Sequence, residues 1–175
     1  MNAVFLLGKL PAHGDFVCRG LEADARQPLD AWLCEGLAAA QAELGDRFEA
    51  AFDAAPPWRF RWQDGGVWAA GAMAPSADGV GRRFPILVGR RGVAAKDADA
   101  AAQACETALF AAICDGWSAD RTVEAVAASP ATGDGADPEE EWWVDGGEEA
   151  GIAPLPGRLP PRLLSVVLAA AAGRP

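Results

Sequence analysis

Two short stretches hold most of the side chains in this chain that could do chemistry: GKLPAHGDF at residues 8–16 and PSADGVGRRFP at residues 75–85. Ser76, His13 and either Asp15 or Asp78 are the residue types of a nucleophile–base–acid triad, in which the imidazole takes the serine proton and a carboxylate orients the ring. His13 is the sole histidine in 175 residues, so a triad runs through it or does not exist. Ser76 lies outside a GxSxG elbow, and its surroundings do not read as strand, sharp turn and helix. A hydroxyl after Pro75 has a plain use in capping a turn, as does a histidine before Gly14.

The second stretch also raises phosphate binding. GVGRR has neither the lysine nor the following Ser or Thr of a P-loop, and Arg82-Arg83-Phe84 follows Gly79 and Gly81 where a dinucleotide fingerprint needs another pattern. A single phosphoryl group would still suit the guanidinium forks of Arg82 and Arg83. The competing reading is an arginine tied to a carboxylate such as Asp15 or Asp78. Carboxylates at Glu139–Glu141 and Glu148-Glu149 lie in segments without apolar periodicity, where no low-dielectric pocket would tune their pKa for acid–base work.

No cofactor or metal is expected. Cys18, Cys34, Cys105 and Cys114 show no CxxC spacing, and one histidine adds little to a zinc set. Cys34, Cys105 and Cys114 fall in helix-like segments and read as small core residues. The net charge of −10 argues against a nucleic-acid surface, which needs clustered Lys and Arg. The tryptophans Trp58, Trp62, Trp68, Trp142 and Trp143 therefore read as core and not as base-stacking platforms. Only Lys9 and Lys96 are lysines, so the positive charge is almost all arginine, the side chain suited to bidentate pairing. The apolar stretch Val4–Leu7 is too short for a signal-peptide core, and no run approaches the ~20 apolar residues of a membrane span. A reduced, cytoplasmic protein without membrane insertion is the expectation.

Apolar spacing places the elements around these loops. AVFLLG at residues 3–8 reads as a buried strand. Leu29, Leu33, Leu37, Ala40, Leu44 and Phe48 share one face of a helix running from Pro28 to Pro56-Pro57. WRFRW at residues 58–62 alternates, which puts Arg59 and Arg61 on the wet side of a strand. Residues 63–66 have hairpin chemistry, VWAAGAMA returns as a second strand, and FPILVG reads as a central one. Helices follow at about 97–117 and 120–128, then an acidic, flexible surface loop at residues 129–141. WWV at residues 142–144 is a strand, and a last helix starts near Arg162. This order predicts a single α+β domain over residues 1–175, with helices on a mainly antiparallel sheet.

The two loops, with LDAWLCEGL at 29–37 and PPWRF at 56–60, resemble the TagF/ImpM family of type VI secretion-associated proteins. The family pattern falls on Gly8, Lys9, Pro11, Gly14, Asp15, Phe16, Trp32, Trp58, Arg59, Phe60, Pro75, Ser76, Asp78, Gly81, Arg82, Phe84 and Pro85, with the Trp142-Trp143 pair also fitting. Cys18 stands where an arginine is frequent. The resemblance implies a three-layer α/β/α sandwich of longin or profilin-like type. It also implies a cytosolic regulator without enzymatic activity, which restrains type VI secretion after translation. Its partner would be a forkhead-associated (FHA) scaffold protein in the threonine-phosphorylation pathway. Some members carry a fused phosphatase domain; a chain of this length would be the stand-alone form. Lys9, His13, Asp15, Arg59, Ser76, Asp78, Arg82 and Arg83 are the candidate partner-binding or loop-shaping residues. The second reading is an anion or phosphopeptide sensor that uses Arg82 and Arg83.

Overall fold

Period-two alternation along the strands sorts their side chains onto two faces, and each face is buried under helices. The computed structural model describes residues 3–135 and 137–173. Among these, seven strands form one antiparallel sheet: β1 (Ala3–Gly8), β2 (Val17–Arg19), β3 (Trp58–Asp64), β4 (Val67–Ala74), β5 (Ile86–Val93), β6 (Glu141–Trp143) and β7 (Leu155–Pro156). Their order across the sheet is β2-β1-β5-β4-β3-β6-β7. Helices α1 (Ala23–Leu44), α2 (Phe48–Ala54) and α5 (Leu163–Ala172) cover one face, while α3 (Ala98–Cys114) and α4 (Ala119–Ala128) cover the other. The architecture is the α+β domain that the element order predicts and the three-layer α/β/α sandwich that the family resemblance implies.

The face under α1, α2 and α5 is filled with rings. Pairing aligns Phe5, Gly89, Gly71, Phe60 and Trp142 in one row across five strands. The glycines make room for the rings: a Cβ at Gly89 would stand 2.5 Å from Phe5 Cζ, and one at Gly71 the same distance from Phe60 Cζ. Phe60 stacks on Trp62 at 4.1 Å and meets Trp142 at 4.8 Å. Trp58, Trp62 and Trp142 are all buried, as core tryptophans should be.

The opposite face is lined by small residues. Ala70, Ala72 and Ala74 of β4 lie against Ala101, Ala102, Cys105 and Leu109 of α3, so that helix rides close to the sheet. Arg59 and Arg61 point to this face. The expected wet side does not exist, because α3 covers it and supplies Glu106 and Asp99 as ion-pair partners. Arg90 also lies here, buried, and donates through Nη1 to the Ser129 carbonyl at 2.7 Å. That carbonyl closes α4, where the helix dipole favours a cation.

The helix expected from Pro28 to Pro56 is in fact two. α1 begins at Ala23 and contains Pro28, which forgoes one bond to the exposed Asp24 carbonyl. At Gly45 (φ +54) the chain leaves the helix, makes a 3-10 turn and restarts as α2, so that Phe48, Ala51 and Phe52 reach the core. The third strand starts at Ile86, leaving Phe84 and Pro85 to the loop, and it lies inside the sheet between β1 and β4. The two-residue strand β7 and three-residue β2 are too short to leave a pattern in the sequence. Cys105 is buried as expected, but Cys34 and Cys114 are exposed because they fall on the outer faces of α1 and α3. In the acidic segment the Gly133 amide bonds to Asp97 and the Gly135 amide to the Lys96 carbonyl.

Candidate functional site

Antiparallel pairing brings the two chemistry-bearing loops to the same end of the sheet. Gly8 at the end of β1 and Ala74 at the end of β4 both pair with Ile86 at the start of β5. The β1–β2 loop (residues 9–16) and the β4–β5 loop (residues 75–85) therefore leave the sheet side by side.

Asp78 fastens them. Its side chain has no solvent exposure and takes Lys9 Nζ at 3.1 Å and Arg82 Nε at 2.7 Å. The Arg82 amide at 2.9 Å and the Val80 amide at 3.2 Å also donate to it. Burial pushes the Asp78 carboxyl up, but these four hydrogen bonds outweigh it and hold the group well below the usual carboxylate range. Within the loop, Gly81 takes φ +84, which glycine alone accepts cheaply, and its amide closes the turn onto the Asp78 carbonyl at 2.9 Å. Phe84 donates its amide to the Ser76 carbonyl at 3.0 Å, and Ala77 bridges Arg83.

The first loop is stitched to this turn at several points. Arg82 Nη2 donates to the Gly14 carbonyl at 2.8 Å, and the Gly79 amide donates to the His13 carbonyl at 2.6 Å. Phe16 meets Phe84 edge to face at 5.5 Å. His13 itself faces elsewhere: its Nε2 accepts the Ala119 amide at 2.9 Å, which ties the loop to the first turn of α4. Asp15 stays exposed, accepting the Phe16 amide, with Arg82 at 4.0 Å. Arg83 turns the other way and grips Asp53 of α2 with two bonds of 2.8 Å, with Glu49 at 3.3 Å. Its hydrogen bond holds the Asp53 carboxyl below the ordinary range.

The structure brings Lys9, Asp78 and Arg82 together and places His13, Asp15 and Arg83 around them, while the side chains of Ser76 and Arg59 take no part in these ion pairs. Ser76 is buried and its hydroxyl has no partner. The lone pair of His13 Nε2 is taken by the Ala119 amide. Arg59 lies under α3, with Glu106 at 2.8 Å and Asp145 at 3.1 Å. The tie of an arginine to Asp78 is present for Arg82, whereas the partners of Arg83 escaped the sequence reading. Glu49 and Asp53 are four residues apart on one helical face, a pattern the sequence shows without revealing which cation meets it. Val80 was also missed; it stands 71% exposed at the tip of the clasped turn. Among the described residues no three His, Cys, Asp or Glu side chains cluster as metal ligands, and no helix is long and apolar enough to cross a membrane.

A three-layer sandwich whose sheet ends in an ion-paired clasp of two loops is thus the class of protein in hand. The chain belongs to the family of type VI secretion system-associated TagF N-terminal domains, whose model matches residues 6–129 and so includes the whole clasp. Strands β6 and β7 and helix α5 lie beyond the match. The crystal structure of PA0076 from Pseudomonas aeruginosa PAO1 is similar over 97% of this chain and 78% of that one, with 30% identity and a TM-score of 0.64. No curated protein sequence matches the chain.

Proposed function

We propose that this protein is a non-enzymatic, cytoplasmic negative regulator of type VI secretion, which acts by binding an FHA-domain scaffold protein of the threonine-phosphorylation pathway through the clasped end of its sheet. The observation that carries the reading is the burial of Asp78 among four donors. Its charge is spent on holding two loops as one rigid surface, from which Val80 projects. Loops fixed on a rigid sheet are where recognition concentrates, and a surface organised in advance loses less entropy on binding. The family membership supplies the secretion system. A hydrolytic role is disfavoured because His13 Nε2 is taken by a backbone amide and Ser76 has no base beside it. The sensor reading fares no better: a cleft of about 310 Å3 borders Arg82 and Arg83, but both guanidinia already hold carboxylates.

Calorimetric titration against the FHA scaffold of the same secretion system, phosphorylated and unphosphorylated, tests this. The expected result is micromolar or tighter binding, weakened at least about tenfold by Val80→Asp with melting temperature unchanged. Absence of binding in both phosphorylation states overturns the partner.

A further inference from the structure

The outward face of α3 carries no free charge. From Ala100 to Cys114 its exposed side chains are Gln103, Thr107, Phe110 and Cys114, with Ala104 and Ala111 beside them. The one ionisable carboxylate on this stretch, Glu106, is bound to Arg59. Phe110 is 69% exposed. A lone exposed ring is ordinary, but this one stands as a ridge between two hollows. On its own flank lies a hollow of about 170 Å3 lined by Pro57, Pro75 and Ile113 and also by Asp53 and Glu106, each held by an arginine. On the opposite flank, between α3 and α4, lies a groove of about 500 Å3 walled by Trp117 and without a single charged lining residue.

We propose that this face is where a second copy of the chain docks. Charge selects the occupant. Each chain carries −10, so two copies repel wherever their acidic surfaces come within about a Debye length, ~8 Å at physiological salt. The α3 face bears only the arginine-paired Asp53 and Glu106, so two copies meet there with little like-charge contact. A basic partner would find on this face only carboxylates already held by arginines. Shape selects the geometry. Ridge and groove lie on opposite flanks of the same helix, so a two-fold axis running along α3 sets each Phe110 over the groove of the other copy. That makes a self-complementary, isologous contact. The small residues Ala100, Ala104 and Ala111 let the helices approach at the short end of the usual interaxial range. A helix of 17 residues is about 25 Å long, and with its flanking grooves offers on the order of 600 Å2 per copy, which fits a reversible dimer at the low end of specific interfaces.

Sedimentation equilibrium of the full chain, from low micromolar to near-millimolar concentration, tests the proposal. The expected result is a monomer–dimer equilibrium whose dissociation constant rises at least about tenfold in Phe110→Asp. The variant's melting temperature at low concentration should stay unchanged, because the ring is exposed in the monomer. Val80→Asp, on the clasp, should leave the dimer constant where it was, which separates this face from the proposed scaffold contact. Three results overturn the proposal: a monomer at every concentration, a dimer indifferent to Phe110→Asp, or a monomer whose scaffold binding is lost in Phe110→Asp. The last would assign the face to the scaffold.

Discussion

Two arginine–carboxylate assemblies brace this sheet, and they are built inside out relative to each other. At the clasp the buried group is an acid: Asp78 sits inside, and Lys9 and Arg82 reach in to it. Under α3 the most buried groups are bases: Arg59 and Arg61 are each held by one partly buried carboxylate, Glu106 or Glu141, and one mostly exposed, Asp145 or Asp99. The difference matters because protonating the one buried carboxylate of the clasp would release both of its cations at once. It matters also because each arginine has two carboxylates, while the clasp has one hub. The clasp should fail as a unit and respond to acid; the β3 assembly should lose its members one at a time.

Asp78→Ala is the harshest test. It strands Lys9 and frees both loops, and a fall in melting temperature on the order of 10 °C is expected in calorimetry. A loss below about 2 °C would erase the contrast between the assemblies. Arg59→Ala ranks next, at about 2 kcal/mol in chemical denaturation, since Glu106 is left half-buried without its partner. Arg59→Met should recover little of that, because it restores the packed stem but leaves Glu106 unpaired. If Met recovers most of it, the stem and not the charge holds α3 there.

Acid should separate the two regions further. The folded Asp78 carboxyl lies below its unfolded value of about 3.9, so between the two the unfolded chain binds more protons. The stability it contributes is complete above about pH 4 and drains away as the pH falls toward the depressed folded value. Melting curves of Asp78→Asn should therefore fall less steeply below pH 4 than those of wild type; parallel curves would show that Asp78 is not the titrating hub. The smallest effect is expected for Asp145→Ala, within about 0.5 kcal/mol, because an exposed carboxylate contributes little and Arg59 keeps Glu106.

How much of this was legible in the sequence follows from the range of the interactions. Strands β1, β3 and β4 and helices α3 and α4 were readable because their periodicity is local, and the Gly65-Gly66 turn carried its own signature. The bond of Asp78 to Arg82 is an i, i+4 contact and was within reach. Lys9 to Asp78, Arg83 to Asp53 and Ala119 to His13 join segments far apart in sequence; the pairing of β1, β5 and β4 makes the first pair neighbours, and the packing of α2 and α4 on the sheet makes the other two. Arg59 was misplaced for a related reason: alternation tells which face a residue takes, but not that a helix some forty residues later will cover that face. The pattern of Gly, Pro, Asp and Arg in the two loops pointed to the clasp as a family feature, while its hub had to be seen in three dimensions.

The measurement that bears most directly on the clasp as a binding surface is hydrogen–deuterium exchange of this protein with and without its FHA scaffold. Scaffold-induced protection concentrated in residues 9–16 and 75–85, and lost in Val80→Asp, is the result the account predicts. Protection confined to α3, or to the β6–β7 edge, with the two loops unchanged, would contradict it.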